Sequence, residues 1–173
     1  MRRSLTVALV VITGCAGAAK PAEESLRRTT RDGHASFVLP AEWTDAGKGA
    51  GKQEWQRKRG EAVVATLEVI FIPLYADYHR RAADLVEMVG KDDPEHEYEV
   101  VAAGESDVAG APGVTVRYCM GHGSTSVTGT NLFVLTREGA VEFKIVYWMG
   151  EPAQDVEREG EAILSSVEAV EAQ

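Results

Sequence analysis

The chain has few of the residues and motifs that mark the commoner protein classes. Of its 173 residues two are cysteines, Cys15 and Cys119, too few for a disulfide framework. Its N-terminal apolar run, Leu5–Ile12, falls far short of the roughly 20 residues a membrane-spanning helix needs. Basic side chains are outnumbered 18 to 27, giving a formal charge of −9. Such a surface repels nucleic acid and anionic head groups as a whole and favours solubility. There is no G-x-G-x-x-G, no P-loop and no G-x-S-x-G elbow, so nucleotide binding and a hydrolase nucleophile find no motif, and no cofactor is expected. Repeats and coiled-coil heptads are absent too.

What is present begins at the N-terminus. Arg2 and Arg3 precede the apolar run, the build of an export signal rather than an anchor. Small residues from Ala16 to Ala19 would suit ordinary secretory cleavage. The segment Ile12-Thr13-Gly14-Cys15, however, resembles the bacterial lipobox: an aliphatic residue, two small ones and a cysteine directly after the apolar run. The resemblance implies cleavage between Gly14 and Cys15, diacylglycerol on the Cys15 thiol and acylation of the new amino group. Only a nucleophilic sulfur forms that thioether. Two or three acyl chains, at about 0.8 kcal/mol per buried methylene, hold a protein on a membrane where one does not. Ala16 in the next position, rather than Asp, implies outer-membrane sorting in enteric-type bacteria. Residues 1–14 are thus read as a lipoprotein signal peptide. The product is expected in the bacterial cell envelope, extracytoplasmic, facing the periplasm where there are two membranes.

Loss of Arg2 and Arg3 with the signal takes the formal charge to about −11. Cys119 is then left without an intrachain partner and reads as a small buried hydrophobe. Residues 15–33 hold the lipidated cysteine and a small, polar, charged stretch without periodicity, read as a flexible tether. Its 18 residues after Cys15 reach roughly 20–25 Å as random coil. Arg27, Arg28 and Arg31 read as solvated tether charge, with anionic lipid heads as the alternative contact. Residues 34–173 are enough for one domain with its own core.

The domain opens with a short strand, Ser36–Trp43, in which Phe37 and Leu39 alternate, Pro40 stops the ladder and Trp43 folds back on the core. Gly47–Gly51 is a loop. Gln53–Arg57 pairs with Glu61–Ile72 across the turn Arg57-Lys58-Arg59-Gly60. Val63, Ala65, Leu67, Val69 and Phe71 make one face of the second strand, and Thr66 and Glu68 a wetter one. Pro73 ends it. From Tyr78 to Val89 the apolar period becomes helical (Ala82, Leu85, Val86, Val89), with Asp77 as N-cap and Gly90 beyond the end. Lys91–Glu97 is an acidic loop.

Strands return over Tyr98–Ala103 and Val114–Met120, parted by the turn-rich Ser106–Gly113. Val127–Thr136 and Ala140–Trp148 form a hairpin through Arg137-Glu138-Gly139, with a positive φ expected of Gly139. Val141, Phe143, Ile145 and Tyr147 share one face of it, and Glu142 and Lys144 the other. A last helix spans Pro152–Val170, with Val156, Gly160, Ile163, Leu164, Val167 and Val170 on its stripe. Glycine costs about 1 kcal/mol relative to alanine inside a helix, so Gly160 implies close approach of the helix backbone to the sheet.

The order β-β-β-α-β-β-β-β-α predicts an α+β fold, an antiparallel sheet carrying two helices. The strand ending in Phe37-Val38-Leu39-Pro40-x-x-Trp43, the meander, the mid-chain helix, the segment Ala109–Gly113 with Pro112, the long hairpin and the terminal helix together resemble the PsbP-like fold. That group includes the photosystem extrinsic subunit and bacterial lipoproteins of the DcrB and LpqN types. Over residues 34–170 the resemblance implies an α-β-α sandwich acting as a binding or assembly module, and it carries over no catalytic residue.

Candidate sites are few. Cys119 and His122 have no second Cys/His pair at zinc-site spacing. Asp92, Asp93, Glu95, His96 and Glu97 lack the calcium-loop spacing with its central glycine and read as solvated. No metal site is therefore expected. His122 and Ser124 lie close in sequence without forming a triad. The candidate ligand or partner surface is the basic hairpin tip Arg57, Lys58 and Arg59 together with Trp55 and Trp148. The cations suit lipid heads or an acidic partner, and the tryptophans, with Trp43, an apolar groove; a soluble turn and core packing are the plainer readings.

The function expected is non-enzymatic: a lipid-anchored binding or assembly module with an envelope protein as partner, the membrane reached through the lipid, and no nucleic acid. The alternative is a carrier of a small apolar ligand, and a hydrolase ranks third for want of converging titratable groups. A wide apolar pocket would favour the carrier, a filled core the partner-binding module.

Overall fold

The computed structural model describes residues 26–49, 51–73, 81–121, 126–148 and 154–170. Alternation of apolar and polar residues builds two antiparallel meanders. The first is β3 (Trp43–Gly49), β4 (Lys52–Arg59) and β5 (Ala62–Pro73); the second is β6 (Tyr98–Val108), β7 (Ala111–Met120), β8 (Val127–Leu135) and β9 (Gly139–Tyr147). β9 pairs with β5, Ile145 opposite Leu67 and Phe143 opposite Val69, which joins the meanders into one seven-stranded sheet of order β3-β4-β5-β9-β8-β7-β6. A smaller sheet of order β1-β2-β10 is formed by β1 (Arg27–Thr29), β2 (Ala35–Val38) and β10 (Glu168–Ala169).

The two helices lie on opposite faces of the large sheet. On one face α2 (Gln154–Ser165) and the small sheet bury Phe37, Leu67, Phe143, Ile145 and Ile163. On the other, α1 (Ala82–Val89) sets Ala82 and Leu85 on Val114, Val116 and Phe133. The α+β sandwich expected from the sequence is the fold observed. Each large apolar side chain so buried stabilises by about 1.5–3 kcal/mol relative to exposure.

Several expectations are corrected. Arg27–Thr29, within the stretch read as tether, is a strand paired with β2, Arg28 opposite Phe37. Three residues are too short for a period to show. The loop expected from Gly47 is mostly β3, which keeps pairing with β4 past an irregularity between Asp45 and Gly47. Ser106–Gly113 is not a broad turn: β6 and β7 continue to a two-residue turn, Ala109-Gly110, with φ of 51° and 89°. Two positive φ values match the twist of the flanking strands.

α1 starts at Ala82, and Arg81 before it, in extended conformation (φ −128°), takes the N-cap position without a side-chain cap bond; Asp77, the expected cap, lies outside the described residues. α2 stops at Ser165, and Val167 is buried (4 % exposed) after the helix rather than on it. Gly139 is absent from the positive-φ positions; a Cβ there would strike the Ile72 carbonyl and the Phe71 ring across the β5–β9 pair. Gly160 behaves as expected: a Cβ there would strike the Tyr147 hydroxyl.

Candidate functional site

The signal region, Gly14, Cys15, Asp77, His122, Ser124 and Pro152 lie outside the described residues. The partner surface read from the sequence is not one surface. Trp55 is a core side chain, 7 % exposed and edge-on to Phe37 with ring centres 5.4 Å apart, so it is unavailable to a partner. Arg57 and Arg59 are occupied inside the molecule. Arg57 holds both carboxylate oxygens of Glu159 on α2 (Nε–Oε2 2.8 Å, a second bond of 3.1 Å), and Trp43 Nε1 donates to the same carboxylate at 3.1 Å. Arg59 pairs with Asp155 in the first turn of α2 and holds its carboxyl below the ordinary range. The basic tip therefore clamps the acidic start of α2, which also suits that helix end electrostatically. Lys58 remains exposed. Trp148 is 44 % exposed on the opposite sheet face, its Nε1 donating to Thr66 Oγ1 at 2.9 Å.

Two carboxylates of the acidic loop accept from backbone amides, one on β6 and one within the loop. Asp92 accepts from the Val100 amide at 2.7 Å, and Asp93 from that of Glu95 at 3.2 Å. Among the described residues, no three His, Cys, Asp or Glu side chains converge as metal ligands would. Cys119 is half-buried, not fully enclosed.

Among the described residues two open clefts stand out. The larger, about 640 Å³, lies between the C-terminal half of α2 with β10 and the strands β6–β8. Arg117, Thr115, Thr130 and Leu132 line it from the sheet, and Glu161, Leu164 and Glu168 from the other wall. Arg117 reaches Glu157 at 3.5 Å, and Ser106 and Thr115 join hydroxyls at 3.0 Å. Burial pushes the Tyr147 phenol, which also lines this cleft, well above its ordinary range.

The smaller cleft, about 410 Å³, opens beside α1. Met88 and Val89 line it from the helix, and Tyr98, Phe133, Asn131 and Glu142 from the sheet. Asn131 Nδ2 donates to Glu142 Oε1 at 2.8 Å. Burial raises the Glu142 carboxyl above its ordinary 4.5; the Glu68 carboxylate adds to the shift and Lys144 opposes it. Tyr98 stacks on Tyr118, ring centres 4.9 Å apart, and burial raises both phenols. This group was missed in the sequence, where alternation only sets Glu142 and Lys144 on the face opposite Phe143 and Ile145. Gly129 directly opposite Tyr118 was the available sign that a ring lies flat across β8.

No protein-family model and no curated protein sequence matches the chain. Solved structures do match. The cyanobacterial PsbP protein CyanoP from Synechocystis aligns with a TM-score of 0.58 at 16 % identity, covering 91 % of this chain and 100 % of that one. The domain has the PsbP-like fold. LpqN of Mycobacterium tuberculosis, described as involved in cell envelope biogenesis, aligns at TM-score 0.58 and 9 % identity over 79 % of this chain and 83 % of its own. A protein from Bacteroides thetaiotaomicron aligns at TM-score 0.59 and 13 % identity over 84 % of this chain, which spans only 48 % of that protein.

Proposed function

We propose that this PsbP-like protein is a lipid-anchored, extracytoplasmic binding or assembly module of the bacterial cell envelope, without catalytic chemistry of its own. Its anchor is the lipid on Cys15, its address the membrane face outside the cytoplasm, and its partner an envelope protein met through an open cleft. The observation that carries this reading is the filled interior. Phe37, Leu67, Phe143 and Ile145 are fully buried between sheet, α2 and β2, and Gly160 lets α2 close onto Tyr147. Among the described residues the clefts are open and lined by mixed polar and apolar groups. A carrier of an apolar ligand wants an enclosed apolar chamber. The lipobox-like Ile12–Cys15 supports the anchor, and the shared fold of LpqN, described as an envelope-biogenesis protein, is consistent with the location.

The test labels cells with a clickable palmitate analogue, fractionates them, and crosslinks through a photoreactive residue at Thr130 in the larger cleft. Wild type should carry the label in membranes and crosslink one defined envelope protein. Cys15→Ala should lose the label and leave the membrane. An unlabelled wild type would end the anchor, and a co-purifying lipid with no protein crosslink would put the carrier first.

A further inference from the structure

Beside the α1 cleft lie two buried polar atoms without hydrogen-bond partners. Asn131 gives an N–H to Glu142, while its own Oδ1 is buried with no donor. Two residues along β8, the Tyr118 hydroxyl lies over Gly129, 2.5 Å from where a Cβ would sit. That side chain is 2 % exposed, and its oxygen too has no partner. Asn131 is the one hydrogen-bond donor to Glu142 among the described residues, so the second carboxyl oxygen can accept as well. A buried polar group left unpaired is costly, which makes two of them on one patch a demand for something else. For the Asn131 oxygen, which can only accept, the missing party is a donor. The surroundings narrow it further: a carboxyl whose ionised form burial disfavours gains from a cation, and the Tyr98 ring, which lines the cleft, attracts one. Met88, Val89, Val116, Met120 and Phe133 supply apolar wall for a hydrocarbon stem.

We propose that the cleft beside α1 binds an organic ammonium group on an apolar stem, with Asn131 Oδ1 and Glu142 accepting its N–H bonds and Tyr98 lying beside the charge. Of the other charged groups nearby, Lys144 opposes the cation and Glu68 favours it. At the rim Lys91 and Asp93 offset each other. A free alkylamine and a lysine side chain on a polypeptide present the same chemistry. The site does not depend on the lipid anchor.

The experiment titrates n-butylammonium, and separately acetyl-Ala-Lys-Ala-amide, into the full chain in detergent, following the Asn131 side-chain amide and the Glu142 carboxyl by NMR. Saturable shifts of both signals are expected, with the Glu142 titration midpoint moving down when the site is loaded. Glu142→Gln, which keeps the Asn131 bond but never ionises, should weaken binding at least tenfold, as should Asn131→Leu. The lysine peptide binding more tightly than butylammonium would make the natural ligand a protein side chain; the reverse order would make it a free amine. If n-butanol shifts the same signals with the same affinity, or if neither amine shifts them, the proposal is overturned; a long-lived internal water between Tyr118 and Asn131 would then be what satisfies these atoms.

Discussion

The Tyr147 hydroxyl occupies the space that a side chain at Gly160 would need, so α2 is seated on the sheet through a missing Cβ. Gly160→Ala would gain about 1 kcal/mol of helix propensity. Forcing a methyl into a filled contact costs about 1–3 kcal/mol. We expect a net loss of about 1 kcal/mol in urea unfolding, recovered largely in Gly160→Ala/Tyr147→Phe, which removes the obstructing oxygen. A stabilised single mutant would show that the helix sits farther out.

Arg57 and Glu159 form the half-buried pair that ties the β4–β5 hairpin to α2. Arg57→Ala leaves Glu159 with only the Trp43 donor, and losing a charge-assisted hydrogen bond of this kind costs about 2 kcal/mol. Lys58→Ala, one residue away and exposed, should leave the unfolding midpoint unchanged. Equal effects of the two would mean that the tip has no clamping role.

Tyr118→Phe removes a buried hydroxyl that has no partner in the ligand-free protein. It should therefore stabilise, by about 1 kcal/mol, against the usual direction for a core substitution. Denaturant titrations of the two proteins without added amine decide it.

Stability should fall as pH rises through the titration of Glu142. Its folded-state pKa is raised, so above the ordinary carboxyl value the folded chain holds a proton that the unfolded chain has released. The stability gained from the protonated form is complete below 4.5 and is lost as pH climbs through the folded value. Glu142→Gln should flatten that part of the stability–pH curve. Parallel curves for the two proteins would refute the shift.

Much of the fold could be read because its alternation is long. Val141 to Tyr147 mark one face of β9 without ambiguity, and Gly160 on an apolar helical stripe signals contact with the sheet. The small sheet could not be read. Arg27–Thr29 and Glu168–Ala169 are too short for a period to show, and both exist only because β2 lies between them. The α1 cleft was hidden for a different reason. Alternation tells that Asn131 and Glu142 share a face of the sheet with Phe133, but not that a helix lies beside that face and partly covers it. The basic tip misled because its charges were counted without the acidic turn of α2 that meets them, more than ninety residues later.

β8 has a further consequence for how the sheet finds its alignment. Leu132 and Val134 enter one core while Phe133 and Leu135 enter the other. A one-residue slip would exchange two apolar pairs for each other, so hydrophobicity in this strand hardly penalises the error. What penalises it is shape. Gly129 must lie under the Tyr118 ring, and at the start of the next strand Gly139 must meet the Ile72 carbonyl. A slipped strand would put Thr128 or Thr130 beneath the ring instead. These two glycines proofread the pairing, and substituting either should give misaligned, aggregation-prone chains before it gives a merely weaker fold.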